Sequence, residues 1–193
     1  MLHFRSRVNP FELIHSHYTP GSELCRILTI HSVLVTQKAR KIALDYLDRH
    51  PDAEIDMDFL IEAAMLHDIG IKFCHAPEIF CVGTEPYIRH GVLGEALLHA
   101  AGFPRHARVC SRHTGAGLTR DDVVTRALPL PAEDFVPVSL EEKIICVADK
   151  FFSKKPRKLW KEKKPEAIEK NLSKHGSNAL SRWQVLAKEI LGD

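Results

Sequence analysis

The stretch AAMLHDIGIK, residues 63–72, decides the fold, because it joins a run of helix-forming residues to a histidine, an aspartate and a glycine. The apolar spacing before it predicts a helix that starts near Asp56 or Asp58, carries His67 on its buried face and stops at Gly70. A buried polar group without a partner costs about 1–3 kcal/mol, and a buried charge costs more. The adjacent imidazole and carboxylate therefore need partners elsewhere in the chain, either hydrogen-bonding groups or a metal ion.

The length of 193 residues suits one domain with its own core. We expect a single domain over residues 1–193, with a core of about 20–155 and a C-terminal helical extension of about 156–193. No apolar run is long enough to cross a membrane, and residues 1–22 lack the apolar segment of a secretory signal. The expected location is therefore the cytoplasm, with no membrane partner.

Cysteine and charge content exclude further classes of protein. Five cysteines, an odd number with no C-x-x-C spacing, argue against a disulfide framework or a thiolate zinc site. The net charge of +2 gives no overall attraction for nucleic acid, which we do not expect as a partner. The basic segment 150–174 could form an electropositive rim, but Glu162, Glu166 and Glu169 break up its charge. We therefore expect it to be a solvated helix whose aromatic side chains pack inward.

Helical periodicity dominates the rest of the sequence, and no convincing strand pair or repeat interrupts it. The other predicted helices, with their capping signals, are 20–47 with Thr19 as cap, 86–101, 104–114, a short helix at Thr119 with Asp122, a long helix opened by Ser139 with Glu142, and an amphipathic helix at about 180–191. The sequence thus predicts an all-α fold, a single helical bundle.

Polar side chains recur on the predicted inward faces of separate helices. They are four histidines and one aspartate, and Asp68 directly follows one of the histidines: His31, His67, His90, His113 and Asp149. Any one of them alone is better explained as a hydrogen-bonded core residue or a helix-surface residue than as a ligand. The set on separate helices changes this balance, because neutral imidazoles and ionised carboxylates are metal ligands and a cation would satisfy all of them.

The order H…HD…H…H…D, each element on its own helix, resembles the ligand pattern of the HD superfamily of metal-dependent phosphohydrolases. LHDIG at residues 66–70 matches the common form of its signature. Three later segments resemble motifs of the YqeK-type symmetrical diadenosine tetraphosphate hydrolases: HGVLGEALL from His90, HTGAG from His113, and LEEKIICVADK ending at Asp149-Lys150. The likeness covers about residues 24–155 and implies a helical HD domain with a binuclear metal site in its core.

The resemblance also implies a role for each matching residue. The first metal would be held by His31, His67, Asp68 and Asp149, and the second by Asp68, His90 and His113. Iron or manganese suits this set of histidines and carboxylates, with zinc, nickel, cobalt and magnesium as alternatives. A hydroxide held between the two divalent ions would attack phosphorus, so that the bridging Asp68 is also a catalytic residue.

Side chains beside the ligand positions are candidates for catalysis, in the case of Lys72, or for substrate binding, in the case of Arg112, Thr114 and Lys150. Many relatives have a lysine directly after the HDIG glycine, where this chain has Ile71, so Lys72 departs from the family pattern by one position. The chain also lacks the H-H-E and G-Y-P sequence of cyclic di-GMP phosphodiesterases and the E-D pair that follows HD by two residues in alarmone hydrolases. The implied partner is a small phosphorylated substrate, in the first place a nucleotide.

Two other functions are compatible with the sequence. The same ligand order resembles the HD-type di-iron oxygenases, such as the inositol oxygenases, in which a mixed-valence pair uses dioxygen to cleave a C–C or C–P bond of a polyol or phosphonate. A non-catalytic binding module is the third option, and the six filled ligand positions argue against it. The segment 115–138 is a candidate lid, and a homodimer is one of the assemblies that the sequence allows.

Overall fold

Helices dominate the computed structural model, which describes residues 8–192. Residues 1–7, which begin the stretch for which we expected no secretory signal, lie outside the described residues. The helices of the described part are α1 (Pro10–His17), α2 (Glu23–Arg49), α3 (Met57–Leu66), α4 (His90–Ala100), α5 (Pro104–Arg112), α6 (Arg120–Thr125), α7 (Leu140–Lys150), α8 (Pro165–Leu172) and α9 (Ser177–Leu191). The all-α prediction is confirmed, although it lacked α1 and a hairpin of two short strands, β1 (His75–Ala76) and β2 (Cys81–Val82). The helix expected over residues 150–174 forms only in part, as α8.

Capping side chains fix where the first long helices begin. The Ser22 hydroxyl accepts a hydrogen bond from the backbone N–H of Cys25 at 3.2 Å, so α2 starts at Glu23 and the prediction of Thr19 as its cap is wrong. The Asp56 carboxylate caps α3 by accepting a hydrogen bond from the N–H of Phe59, which confirms Asp56 as the start of that helix. Within residues 8–192, no helix combines the length and the apolar character that crossing a membrane requires.

The two predicted capping boxes have different outcomes. Thr119 and Asp122 form the reciprocal pair at the start of α6. Ser139 caps α7 by accepting from the N–H of Glu142 at 3.2 Å, but the Glu142 carboxylate accepts from the N–H of Val138 at 2.7 Å instead of closing the box. That carboxylate also pairs with Arg112 of α5, so the ion pair joins α5 to α7. Two predicted ligands lie on these helices, His113 directly after α5 and Asp149 within α7.

The core forms around α2, which packs against α3 and α7. The C-terminal helices share this core, because Ile168 of α8 and Trp183 and Ile190 of α9 belong to the same hydrophobic cluster as Val35 of α2. A second hydrophobic cluster includes residues of α1 and of the segment that follows α3. Helix α9 packs against α2 and α7, and α8 packs against α9, so the bundle continues beyond residue 155.

Glycines set the distance between the segment after α3 and helix α4. Helix α3 ends at Leu66, and Gly70 lies inside a 3-10 turn over residues 69–73, so the prediction that Gly70 stops the helix is wrong. A Cβ on Gly70 would lie 2.1 Å from the carbonyl oxygen of His90 and 2.4 Å from the nitrogen of Gly94. A Cβ on Gly91 would lie 2.6 Å from a carbonyl oxygen of α5. The two glycines thus allow the segment after α3 to touch α4, and α4 to touch α5. His90 lies at the start of α4, and His113 follows the end of α5.

The candidate lid is tied down along its length. Leu118 and Phe135 exchange backbone hydrogen bonds of 3.0 and 2.7 Å, and with Val123 they form a small hydrophobic cluster. Asp122 of α6 makes an ion pair of 2.6 Å with Arg182 of α9. These contacts argue that residues 115–138 form a packed flap and not a freely opening loop.

Candidate metal centre

The structure brings all six predicted metal ligands together in the core. They come from five helices or their ends: His31 from α2, His67 and Asp68 from the end of α3, His90 from the start of α4, His113 from the end of α5 and Asp149 from α7. The most exposed of them, Asp149, has only 7 % of its surface accessible. Asp68 leaves the helical conformation, with φ −106° and ψ 10°, which lets it face the same centre as its neighbour.

The first group of ligand atoms belongs to His31, His67, Asp68 and Asp149, whose donor atoms all lie within 4.8 Å of one another. His31 Nε2 lies 2.9 Å from Asp149 Oδ1 and 3.1 Å from Asp68 Oδ2. His67 Nε2 lies 3.0 Å from the same Oδ2 of Asp68. Two imidazoles and two carboxylates therefore converge on one point.

The second group shares Asp68 with the first and adds His90 and His113. The Nε2 atoms of both histidines lie 3.4 Å from Asp68 Oδ1. The two oxygens of this carboxylate are thus divided, Oδ2 toward the first group and Oδ1 toward the second. A carboxylate divided in this way can bridge two cations.

Backbone carbonyls fix the tautomer of three of the histidines. His67, His90 and His113 each donate their Nδ1–H at 2.7 Å to the carbonyl oxygen three residues earlier in the chain. Because a carbonyl only accepts, each of these rings carries a proton on Nδ1. In a neutral ring Nε2 then presents its lone pair to the centre, and a metal bound there would displace the second proton that the carboxylates favour on His67. This is the arrangement in which a neutral histidine binds a metal through Nε2.

The contact between His90 and His113 tests whether the site fits a cation. Their Nε2 atoms are 3.0 Å apart although each ring already carries its proton on Nδ1. Burial lowers the pKa of His90 to about 3 and also lowers the pKa of His113, so neither ring supplies a second proton. Two lone pairs that face each other at this distance, beside an Asp68 Oδ1 that has no hydrogen-bond partner, are satisfied by a metal ion.

Both carboxylates of the centre are ionised. Burial alone would raise the pKa of Asp68, but Lys154 and His67 hold it well below its usual range. Burial likewise opposes ionisation of Asp149, and Lys150 and Lys154 hold its pKa low. The carboxylates also raise the pKa of His67 to about 9 against the effect of burial. The centre thus offers two negative charges to a cation.

Lys154 is a residue of the site that sequence reasoning missed. Its ammonium lies 2.6 Å from Asp68 Oδ2 and 3.9 Å from Asp149 Oδ1, and 13 % of its side chain is exposed. It also lies beside the hydroxyl of Tyr87, whose ring stacks on His90 at 4.8 Å between ring centroids. Lys154 follows the end of α7 in an irregular segment, where no helical period could indicate its direction.

The four predicted catalytic and substrate-binding residues outside the ligand set differ in whether they reach the centre. The Lys72 ammonium donates to the carbonyl of His17 at 2.7 Å, because its 3-10 turn directs it toward α1; the prediction of a catalytic Lys72 is therefore not supported. Arg112 is held by Glu142 at 3.0 Å. Lys150 contacts Asp149 Oδ2 at 2.6 Å and so supports a ligand.

Thr114 follows His113 directly and is half-buried, with its carbonyl accepting from the N–H of Gly117. This position next to a ligand is compatible with its predicted contact to substrate. Of the predicted substrate-binding residues, Lys150 therefore contacts a ligand and Thr114 follows one in the chain, while Arg112 is engaged in an ion pair between α5 and α7.

The comparison with protein families agrees with this geometry, since residues 28–153 match the HD domain family. The chain belongs to the HD domain family. An uncharacterized protein of Methanocaldococcus jannaschii is 33% identical to it over 120 residues, which are 62% of each chain. Two proteins named tRNA (cytidine(56)-2'-O)-methyltransferase match as well, from Picrophilus torridus (32% identical, 58% of this chain and 29% of the relative) and Thermoplasma volcanium (30%, 51% and 25%).

The match thus covers 62% of the length of one relative and 25–29% of the length of the two methyltransferases. No solved structure matches the chain. The HD domain assignment and the buried histidines and aspartates together support a metal-binding helical domain.

Replacing Lys154 with methionine should strengthen metal binding to this HD domain by about tenfold, because the ammonium competes with a cation for Asp68 Oδ2. The same change should make the metal-stripped protein less stable, since a buried carboxylate loses its partner. Competition with a chromophoric chelator measures the affinity, and urea unfolding measures the stability. Lys155→Met is the control, because that neighbouring side chain is exposed. Equal affinities of Lys154→Met and the unsubstituted protein would contradict the prediction.

Proposed function

We propose that this HD domain protein is a metal-dependent phosphohydrolase that cleaves a phosphoester or phosphoanhydride bond of a nucleotide-like substrate. The observation that carries the proposal is the division of Asp68, with one oxygen in each of two buried ligand groups. When bound, two divalent ions supply a nucleophile at neutral pH and withdraw charge from a phosphoryl group. Iron and manganese are the proposed metals, because the ligands are imidazoles and carboxylates without a thiolate.

Lys154 and Tyr87 are the side chains next to the centre that would contact a phosphate group of the substrate. A metal ion at Asp68 would replace the Lys154 ammonium there, which leaves the ammonium free to pair with a phosphate oxygen nearby. Burial raises the pKa of the Tyr87 phenol, so its hydroxyl keeps its proton and can donate a hydrogen bond to the same phosphate. Lys150 stays on Asp149 and fixes the direction of that ligand.

Diadenosine tetraphosphate is the first substrate to test, because the segments that begin at His90 and His113 resemble those of the YqeK-type hydrolases. The names of two relatives add tRNA to the substrates worth testing. The test uses protein loaded with manganese, or with ferrous iron without oxygen. It measures product release from mono-, di-, cyclic and dinucleoside polyphosphates and from tRNA.

The expected result is hydrolysis that is lost in His90→Ala and kept in His99→Ala, which changes an exposed histidine of the same helix. No turnover of any of these substrates by fully metallated protein would refute the proposal. Activity that needs dioxygen, with a mixed-valence EPR signal that changes on addition of a polyol or phosphonate, would favour the alternative di-iron oxygenase.

A further inference from the structure

A groove of about 850 Å³ lies next to the metal centre, on the segment between α7 and α8 and on α8 itself. We call it the lysine groove, after the exposed lysines that line it: Lys155, Lys158, Lys161, Lys164, Lys170 and Lys174. Within residues 8–192, the structure gives none of these six ammonium groups an acidic partner. Six unpaired cations along one concave surface form a field that attracts a polyanion.

The acidic residues of the segment do not cancel this field. Glu162 lies at the groove but pairs with Lys38 of α2 at 2.6 Å. Glu169 lies outside the lining and accepts a hydrogen bond from Gln184 of α9. Glu166 is the remaining acid of the lining, so two glutamates face seven lysines and this surface stays basic although acidic residues interrupt it.

The lysine groove adjoins the segment that contains Lys154. Ser153 and Lys155, the two neighbours of Lys154, both line the groove. The Lys163 ammonium, also in the lining, donates to the carbonyls of Lys150 and Phe152 at 2.9 and 2.8 Å. A chain of phosphates in the groove would therefore lie beside the phosphohydrolase centre.

An exposed aromatic ring accompanies the lysines. Trp160 lies between Lys158 and Lys161 in the chain and is 69 % exposed, whereas Phe151 and Phe152 are buried. The expectation that the aromatic side chains of this segment pack inward holds for the two phenylalanines and is wrong for Trp160. Trp160 does not itself line the groove, but it lies in the chain between two lysines that do. A solvent-facing indole beside lysines can bind single-stranded nucleic acid by base stacking and phosphate contacts.

We propose that the lysine groove binds the sugar–phosphate backbone of a single-stranded nucleic acid and that Trp160 stacks on one of its bases. The concave shape favours a polymer strand over a membrane, which presents a flat surface. The exposed indole favours a nucleic acid over an inorganic polyphosphate, which has no base to stack on. This site is separate from the proposed catalytic site and needs no metal.

The test is fluorescence anisotropy of a labelled oligouridine of about 15–20 nucleotides in about 50 mM salt, with the full chain in metal-stripped and metal-loaded form. We expect binding in both forms that weakens steeply as salt rises. Lys158→Glu combined with Lys170→Glu should weaken binding by at least about tenfold. Arg108→Glu combined with Arg126→Glu makes the same change in net charge outside the groove and should leave the affinity within about twofold.

Tryptophan fluorescence gives a second readout, since Trp183 is buried and Trp160 is exposed. Oligouridine should change the emission of the unsubstituted protein, and Trp160→Ala should remove this change and weaken binding. Equal losses in the two charge-reversal variants, or no binding in low salt, would overturn the proposal. So would polyphosphate or anionic vesicles that bind through the same lysines while oligouridine does not. A protein that binds RNA yet hydrolyses nothing would refute the proposed catalysis alone.

Discussion

Replacement of Asp68 with asparagine is expected to remove both metal ions from the protein and to lower hydrolysis by more than about 100-fold. Loss of a group that merely supports a ligand costs about 10–100-fold, and Asp68 is itself shared by both ligand groups. Asparagine keeps the shape of the side chain but removes the charge and one of the two acceptor oxygens. Metal analysis of the purified variant measures the stoichiometry, and product release measures the activity.

Variants of the other ligands provide the comparison. His90→Ala should lose the metal of the second group and keep that of the first, while His31→Ala should do the reverse. Lys154 loses its 2.6 Å partner in Asp68→Asn, so the thermal unfolding of that variant must be measured as well. Adding Lys154→Met to Asp68→Asn removes the unpaired ammonium and should restore stability without restoring metal. Two metals in folded Asp68→Asn would contradict the bridging role.

Helical periodicity explains why the ligand set could be predicted from the sequence. His31, His67, His90, His113 and Asp149 sit within helices or at their ends, on faces that the apolar residues define. Side chains of helices that pack around one core must converge, so a polar residue on each inward face implies a shared polar centre. The fold class followed from the same pattern.

Helical periodicity does not predict where a side chain outside a regular helix points, and the two lysines that the sequence misplaced lie in such segments. Lys72 lies in a 3-10 turn that directs it to α1, and Lys154 lies in the irregular segment after α7 and reaches Asp68. The sequence shows both as lysines a few residues from a ligand. Only the path of the backbone distinguishes the one that contacts the centre.

The environment of Trp160 and Glu162 could not be predicted either, because it depends on contacts distant in sequence. Glu162 pairs with Lys38, 124 residues earlier, which takes a negative charge away from the lysine groove. Counting charges along the segment treats all its side chains as equal neighbours. The fold separates them, so a segment of mixed charge presents a basic surface.

Gly70→Ala is expected to destabilise the protein by about 3 kcal/mol, at the upper end of the usual cost of overpacking. The added methyl group would lie 2.1 Å from the His90 carbonyl oxygen and 2.4 Å from the nitrogen of Gly94, and neither backbone atom can move without shifting α4. The backbone of Gly70 is not in the left-handed region, so the clash and not its conformation causes the loss. Urea unfolding of the metal-stripped protein measures the effect.

Gly102→Ala is the matched control, because Gly102 has φ +85° and nothing lies within 4 Å of its added Cβ. That change costs only the strain of the left-handed backbone, of the order of 1 kcal/mol. Gly70→Ala should also weaken the second metal more than the first, since His90 begins the helix that is pushed away. Equal destabilisation by the two alanines would mean that the glycine of the HDIG stretch is not needed for close packing. A larger loss in Gly70→Ala would show that this glycine is there to let His90 approach Asp68, rather than to end a helix.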